Sequence, residues 1–124
     1  MGNDADWYTR DHLWVKKIGE NLFRIGVTFD YLDRLAAINI VELPEVEHVV
    51  RAGDSIAVLE SSKAAVEIPS PFAGKIKNVN TAAVTDPGLI NRQPMADGWL
   101  VEIEADEPGS LKGLLSEDEY HKLL

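Results

Sequence analysis

The sequence predicts a mainly β domain of the sandwich or barrel type. Three observations carry this. Apolar residues alternate with period two through most of the chain. Turn residues recur at roughly ten-residue spacing between those runs. Helix signals are confined to short stretches, one inside the chain and one at its end. A length of 124 residues fits one domain, 1–124, around one core.

The elements follow in order. "LWVKKI" (Leu13 to Ile18) and "LFRIGV" (Leu22 to Val27) flank "GEN", Gly19 to Asn21, which reads as a β-hairpin with a polar turn. "TFDYLDRLAA" offers Thr28 as an N-cap with Tyr31, Leu32 and Leu35 on one face, a short helix. "INIVELP" (Ile38 to Pro44) is a strand that stops at proline. Ala52 to Asp54 make a turn into a strand from Ser55 to Glu60, and Ala65 to Ser70 form the next, broken by Pro69 and Pro71. Gly74 to Asn80 alternate again. "TDPGLINRQP" predicts a one-turn helix capped by Asp86 with Pro87 at its first position. Gly98 to Glu104 are a strand. Ser116 and Glu119 stand at capping-box spacing and predict a C-terminal helix.

Charge and composition narrow the function. Twelve basic residues against 21 acidic give a net charge of -9. Nucleic acid and anionic membrane both need basic patches, so neither is an expected partner. Cysteine is absent, which excludes disulfides, thiolate metal sites and a cysteine nucleophile. Any thiol chemistry must come from a group brought in. The start shows no basic region followed by an apolar run, and no apolar stretch reaches membrane-span length, so the expectation is a cytoplasmic protein without membrane insertion. His12, His48 and His121 have no metal-ligand spacing and read as surface or satisfied residues. Trp14 and Trp99 read as core residues, and Glu42, Glu45 and Glu47 as an exposed acidic loop. No nucleophile–base pair, phosphate loop or carboxylate dyad stands out, so no catalytic residue is assigned.

One stretch does stand out. "VLESSKAAVEI", Val58 to Ile68, sets Lys63 between two strand-like arms. Two similar units, "AGDSIAVLE" and "AGKIKNVN", flank it, with Gly53 ten residues before and Gly74 eleven after. A swinging cofactor needs an exposed amine, rigidly presented and free of neutralising neighbours. A hairpin tip supplies this. Ser61, Ser62, Ala64 and Ala65 would leave a clear tip for a modifying enzyme, and Glu60 a recognisable charge at fixed offset. Taken alone, such a lysine is more often a solvated turn residue, as Lys16, Lys17, Lys75 and Lys77 on the strands would be.

The frame around Lys63 decides between these readings. "ESSKAAVEIPSPFAGKIKNVN" resembles the lipoylation segment of the glycine cleavage system H protein family, which reads Glu-Ser-Val-Lys-Ala-Ala followed by Ser-Pro and Gly. "YTRDHLWV", "IGVT", "VELPEV", "PGLIN", "DGWLVEIE" and "LLSEDEY" match in the same order, so the resemblance covers nearly the whole chain. It implies a barrel-sandwich hybrid of two antiparallel sheets, as in lipoyl domains, with lipoate amide-linked to Lys63. Lipoate would bring the dithiol that the chain lacks. The implied role is a non-catalytic carrier that shuttles an intermediate between enzymes. A lipoate-protein ligase or lipoyl transferase would modify it, and dihydrolipoamide dehydrogenase would reoxidise it. Biotin carriers usually place Met on both sides of the lysine, and 2-oxoacid dehydrogenase lipoyl domains read Asp-Lys-Ala, so both match less well.

Some positions depart from the family. His-Glu-Trp is His12-Leu13-Trp14 here, and the family glutamate lies beside the aminomethylated arm. Ala36 and Ala37 replace Gly-Asp, Ser62 replaces the valine before the lysine, Val66-Glu67 replaces Ser-Asp, and Pro94-Met95-Ala96 replaces Pro-Tyr-Gly. Leu13 offers no carboxylate for an amine. The departures therefore point to a divergent H-like paralog, such as the lipoate-binding proteins of heterodisulfide-reductase-like sulfur oxidation. The alternatives are a genuine H protein serving the glycine cleavage P, T and L proteins, and a binding module that is never lipoylated.

Overall fold

The computed structural model of the chain describes residues 5–107 and 111–124; the N-terminal Met-Gly pair lies outside the described residues. Among the described residues nine strands form: β1 (Trp7–Tyr8), β2 (Leu13–Lys17), β3 (Leu22–Val27), β4 (Ile38–Glu42), β5 (Val49–Val50), β6 (Ser55–Ser61), β7 (Ala65–Pro69), β8 (Gly74–Val79) and β9 (Val101–Ala105). One sheet has the order β1-β2-β3-β9-β8-β5 and the other the order β4-β6-β7. Every pairing is antiparallel. Short α-helices decorate them, among the described residues α1 (Phe29–Leu32), α2 (Thr81–Thr85), α3 (Gly88–Arg92) and α4 (Glu117–His121).

The alternation seen in the sequence becomes inside and outside. Val15, Ile25, Ile76 and Ile103 of the larger sheet and Val41, Ile56, Leu59 and Ile68 of the smaller one share a single buried cluster. The first hairpin pairs Leu13 with Val27 and Lys17 with Phe23, and its turn is closed by Ile18 N–H donating to Leu22 O at 2.9 Å. β2 is buried on both faces. Trp14 points away from the main core into a second cluster with Tyr8, Leu115 and Tyr120, which seats α4 against β1 and β2. Trp99 is half-buried beside that cluster, with the Arg24 guanidinium 4.8 Å from its ring centre.

The paired glycines at 53 and 74 are required for different reasons. Gly53 has φ +92°, a conformation that disfavours side chains. Gly74 lies against the Glu104 backbone carbonyl, where a Cβ has no room.

Several boundaries differ from expectation. α1 has the predicted Thr28 cap, whose hydroxyl accepts from Tyr31 N–H at 3.2 Å, but it ends at Leu32. β4 stops at Glu42, before the proline. β9 begins at Val101 instead of Gly98, because Gly98 and Trp99 turn back to bond Gln93 O and Ala96 O. Asp86 does not cap α3: Pro87 holds the cap position, and the Asp86 carboxylate pairs with Arg92 at 2.6 Å. The β1 and β5 strands and α2 went unanticipated, being too short for periodicity to register. The capping box of α4 is complete, with Ser116 and Glu119 each bonding the other's backbone N–H.

Candidate functional site

β6 and β7 pair with Glu60 opposite Ala65 and Val58 opposite Glu67, and Lys63 rides on the turn between them. A tight two-residue hairpin normally needs positive φ, hence Asn-Gly or Gly-Gly. Here neither Ser62 nor Lys63 takes positive φ. The Ser61 side chain serves instead. Its hydroxyl oxygen accepts from Lys63 N–H at 3.2 Å and Ala64 N–H at 3.3 Å, and Ser61 N–H donates to Ala64 O at 2.9 Å. Ser61 is therefore a turn-former, which its assignment to a clear tip had not included. Ser62, Lys63, Ala64 and Ala65 are all exposed, and Glu60 is half-buried one strand position behind. Among the described residues the Lys63 ammonium has no ion-pair or hydrogen-bond partner.

A cleft of about 390 Å³ opens farther along β7. Glu67 and Pro69 form one wall, Arg10, Asp11 and His12 of the loop before β2 another, and Tyr31 and Arg34 a third. From Lys63 to Glu67 the chain advances about 13 Å, at about 3.3 Å per strand residue. A lipoyl-lysine arm runs about a dozen bonds from Cα to sulfur, or about 14 Å extended at about 1.2 Å per bond. The cleft thus lies within the reach that such an arm would have from Lys63.

The cleft is built by unusual local geometry. Thr9 Oγ1 accepts from Asp11 N–H and Leu13 N–H, each at 3.2 Å, tightening the loop. His12 then takes φ 66°, a strained value that turns its ring inward. The ring is 8% exposed and hydrogen-bonded at both nitrogens, so His12 is a satisfied histidine as expected. His48 is exposed, and His121 lies 3.4 Å from Glu117. Burial raises the Tyr31 hydroxyl above its ordinary pKa; Asp11 adds to that and Arg34 opposes it. The Glu67 carboxylate is exposed and has no partner among the described residues. In the acidic loop Glu42 and Glu45 are exposed, whereas Glu47 is engaged with Lys77 at 3.0 Å and Lys75 at 3.6 Å.

A family profile described as "Glycine cleavage H-protein" matches residues 6–124. The chain belongs to the glycine cleavage H-protein family. It is 38% identical over 118 residues to the glycine cleavage system H protein of Coxiella burnetii, covering 95% of this chain and 91% of that one. It is 42% identical over 117 residues to the namesake from Listeria monocytogenes, covering 94% and 93%. The crystal structure of a glycine cleavage system H protein from Mycobacterium marinum superposes with a TM-score of 0.85 at 34% identity, covering 99% of this chain and 98% of that one. The fold is thus the two-sheet fold of that family. Members carry lipoate covalently on a lysine and act as carriers, not as enzymes.

None of these findings supports the sulfur-oxidation paralog: the relatives matched are named as glycine cleavage system H proteins. Leu13 is 1% exposed and packed in the main core. A leucine there does not leave the cleft without acid, because Asp11 and Glu67 line it. Glu67, counted among the departures, is the carboxylate that β7 delivers. Arg34 and Tyr120 were not singled out: Tyr120 ends the matching "LLSEDEY" segment, but only the fold brings either side chain to His12.

Proposed function

We propose that the chain is the H protein of a glycine cleavage system, with lipoate amide-linked to Lys63 and the aminomethyl intermediate carried on that arm. The observation that carries this is an unpartnered lysine on a rigid tip, one arm's length from a cleft holding two carboxylates. An aminomethyl group on the arm's sulfur is a cation at neutral pH. Glu67 suits it as a charge-assisted hydrogen-bond acceptor. Sequestering the cargo in the cleft slows its loss to water, and the tether makes each transfer quasi-intramolecular once a partner docks. The partners on this reading are the P, T and L proteins, the last being the dihydrolipoamide dehydrogenase, together with a lipoate ligase or transferase acting in the same compartment. Glu60 and the exposed tip residues Ser62, Ala64 and Ala65 are the surface that the modifying enzyme would read.

The test has two steps. Intact mass of the protein from its native host should show one lipoyl increment, absent from Lys63→Arg. The lipoylated chain should then support exchange between glycine and labelled bicarbonate with P protein. An unmodified native protein would return Lys63 to an ordinary turn lysine and favour a plain binding module. A lipoylated chain without exchange would reopen the question of cargo.

A further inference from the structure

Three elements distant in sequence converge behind the cleft. His12 sits before β2, Arg34 just beyond α1, and Tyr120 on α4. His12 Nε2 lies 3.0 Å from the Arg34 guanidinium, and Nδ1 lies 2.8 Å from the Tyr120 hydroxyl. A guanidinium has no acceptor, so Nε2 must accept. The ring is therefore neutral with its proton on Nδ1, and that N–H donates to Tyr120 Oη. The Tyr120 O–H donates onward, to Thr28 Oγ1 at 2.9 Å or to Asp30 Oδ2 at 3.3 Å. The donors form a single directed relay that starts at the cleft wall and ends under the C-terminal helix.

The relay bears on the charge of the cleft. Arg34 lines the cleft with Asp11 and Glu67, yet among the described residues it makes no ion pair. A guanidinium beside open carboxylates would ordinarily engage one, in a bidentate pair. Here it is docked on a neutral imidazole. We propose that Tyr120 is a positioning residue: by fixing the His12 tautomer it keeps Arg34 on Nε2, which leaves Glu67 open to a cationic cargo. This rests on the cleft's role as the seat of the arm. Without the tyrosine hydroxyl, Nδ1–H loses its acceptor. The other tautomer would set Nε2–H donor to donor against Arg34, and the guanidinium would move to the carboxylates and neutralise them.

Three lipoylated proteins decide it: the unaltered chain, Tyr120→Phe, and Tyr120→Phe combined with Arg34→Gln. Nitrogen NMR of the imidazoles, with the His12 signal assigned by its loss in His12→Gln, should show the Nδ1–H tautomer in the first and a shift toward Nε2–H in the second. Identical tautomers in both overturn the relay. In glycine–bicarbonate exchange Tyr120→Phe should lose about tenfold, the effect of one charge-assisted bond of about 1.4 kcal/mol. The double variant should recover most of that loss, because the guanidinium no longer competes. A purely structural role for Tyr120 predicts a double variant no better than the single, and that result overturns the proposal. If the unaltered chain supports no exchange, the glycine cleavage reading fails, while the tautomer comparison still judges the relay.

Discussion

At the scale of single residues, function turns on whether a charge is left open or is occupied. Lys63 and Glu67 are open, whereas Glu102, 5% exposed, is occupied by Arg24 at 2.7 Å and Asn78 at 2.7 Å. A buried carboxylate must be satisfied to be tolerated, so Glu102 is structural. An exposed unpaired one at the arm's reach is available for binding. Glu67→Gln keeps the size and a hydrogen-bond acceptor but removes the charge. It should leave lipoylation of Lys63 intact by mass spectrometry and lower glycine–bicarbonate exchange by roughly tenfold, as expected for one charge-assisted bond. Unchanged exchange would mean that the cargo is held elsewhere. Gly74→Ala tests the scaffold. Its Cβ would meet the Glu104 carbonyl in the centre of a sheet, which cannot withdraw as a flexible side chain could. About 1–3 kcal/mol of destabilisation is expected in urea unfolding. The sequence disclosed Lys63 because its neighbours form a motif. It hid Arg34 and Tyr120 because their partner His12 is 22 residues from one and 108 from the other.

At the scale of elements, α4 shows how a helix too short to stand alone becomes part of a site. Five residues cannot pass the cost of helix nucleation in water. Two contributions offset it. The capping box satisfies backbone N–H groups at the helix start, and burial of Tyr120, stacked on Tyr8 at 4.5 Å, contributes roughly 2 kcal/mol. Ser116→Ala should therefore cost about 1 kcal/mol in denaturant titration. The same packing predicts an alkaline limit. Tyr120 is pushed up to about 12, chiefly by burial, with Asp30 adding and the Thr28 hydrogen bond opposing. The folded chain thus holds its proton where an unfolded chain, titrating near 10, has lost it. Stability from this source is complete below pH 10 and declines as pH rises toward 12. Tyr120→Phe should flatten that decline; an equal slope in both proteins would assign it to other groups. The capping box was legible because its two side chains are local. α2 was not, because one turn of "TAAVT" with a single buried residue, Ala83, carries no period to read.

At the scale of the whole molecule, the two sheets place the Lys63 tip and the carboxylates of the cleft on one rigid body. The two-sheet arrangement was implied only by the family resemblance, whereas a mainly β fold and its hairpins were legible from alternation, since period two fixes which face each residue meets. The cleft was not, because its walls come from the loop before β2, the end of α1 and the middle of β7, which adjoin only after both sheets close. A net charge of -9 then governs how this body meets its partners. Lipoylation makes it one unit more negative by turning an ammonium into an amide. Long-range attraction to a basic partner face speeds encounter but acts over a Debye length of about 10 Å at 0.1 M salt and about 3 Å at 1 M. The lipoylated chain should therefore show a KM in glycine–bicarbonate exchange that rises several-fold as salt is raised across this range, with kcat little changed. The split matters. Docking is a contact between whole surfaces and is screened, whereas the arm's transfer occurs inside the docked complex and is not. A kcat that fell in step with salt, at constant KM, would place the electrostatic dependence in the cleft and not in the encounter.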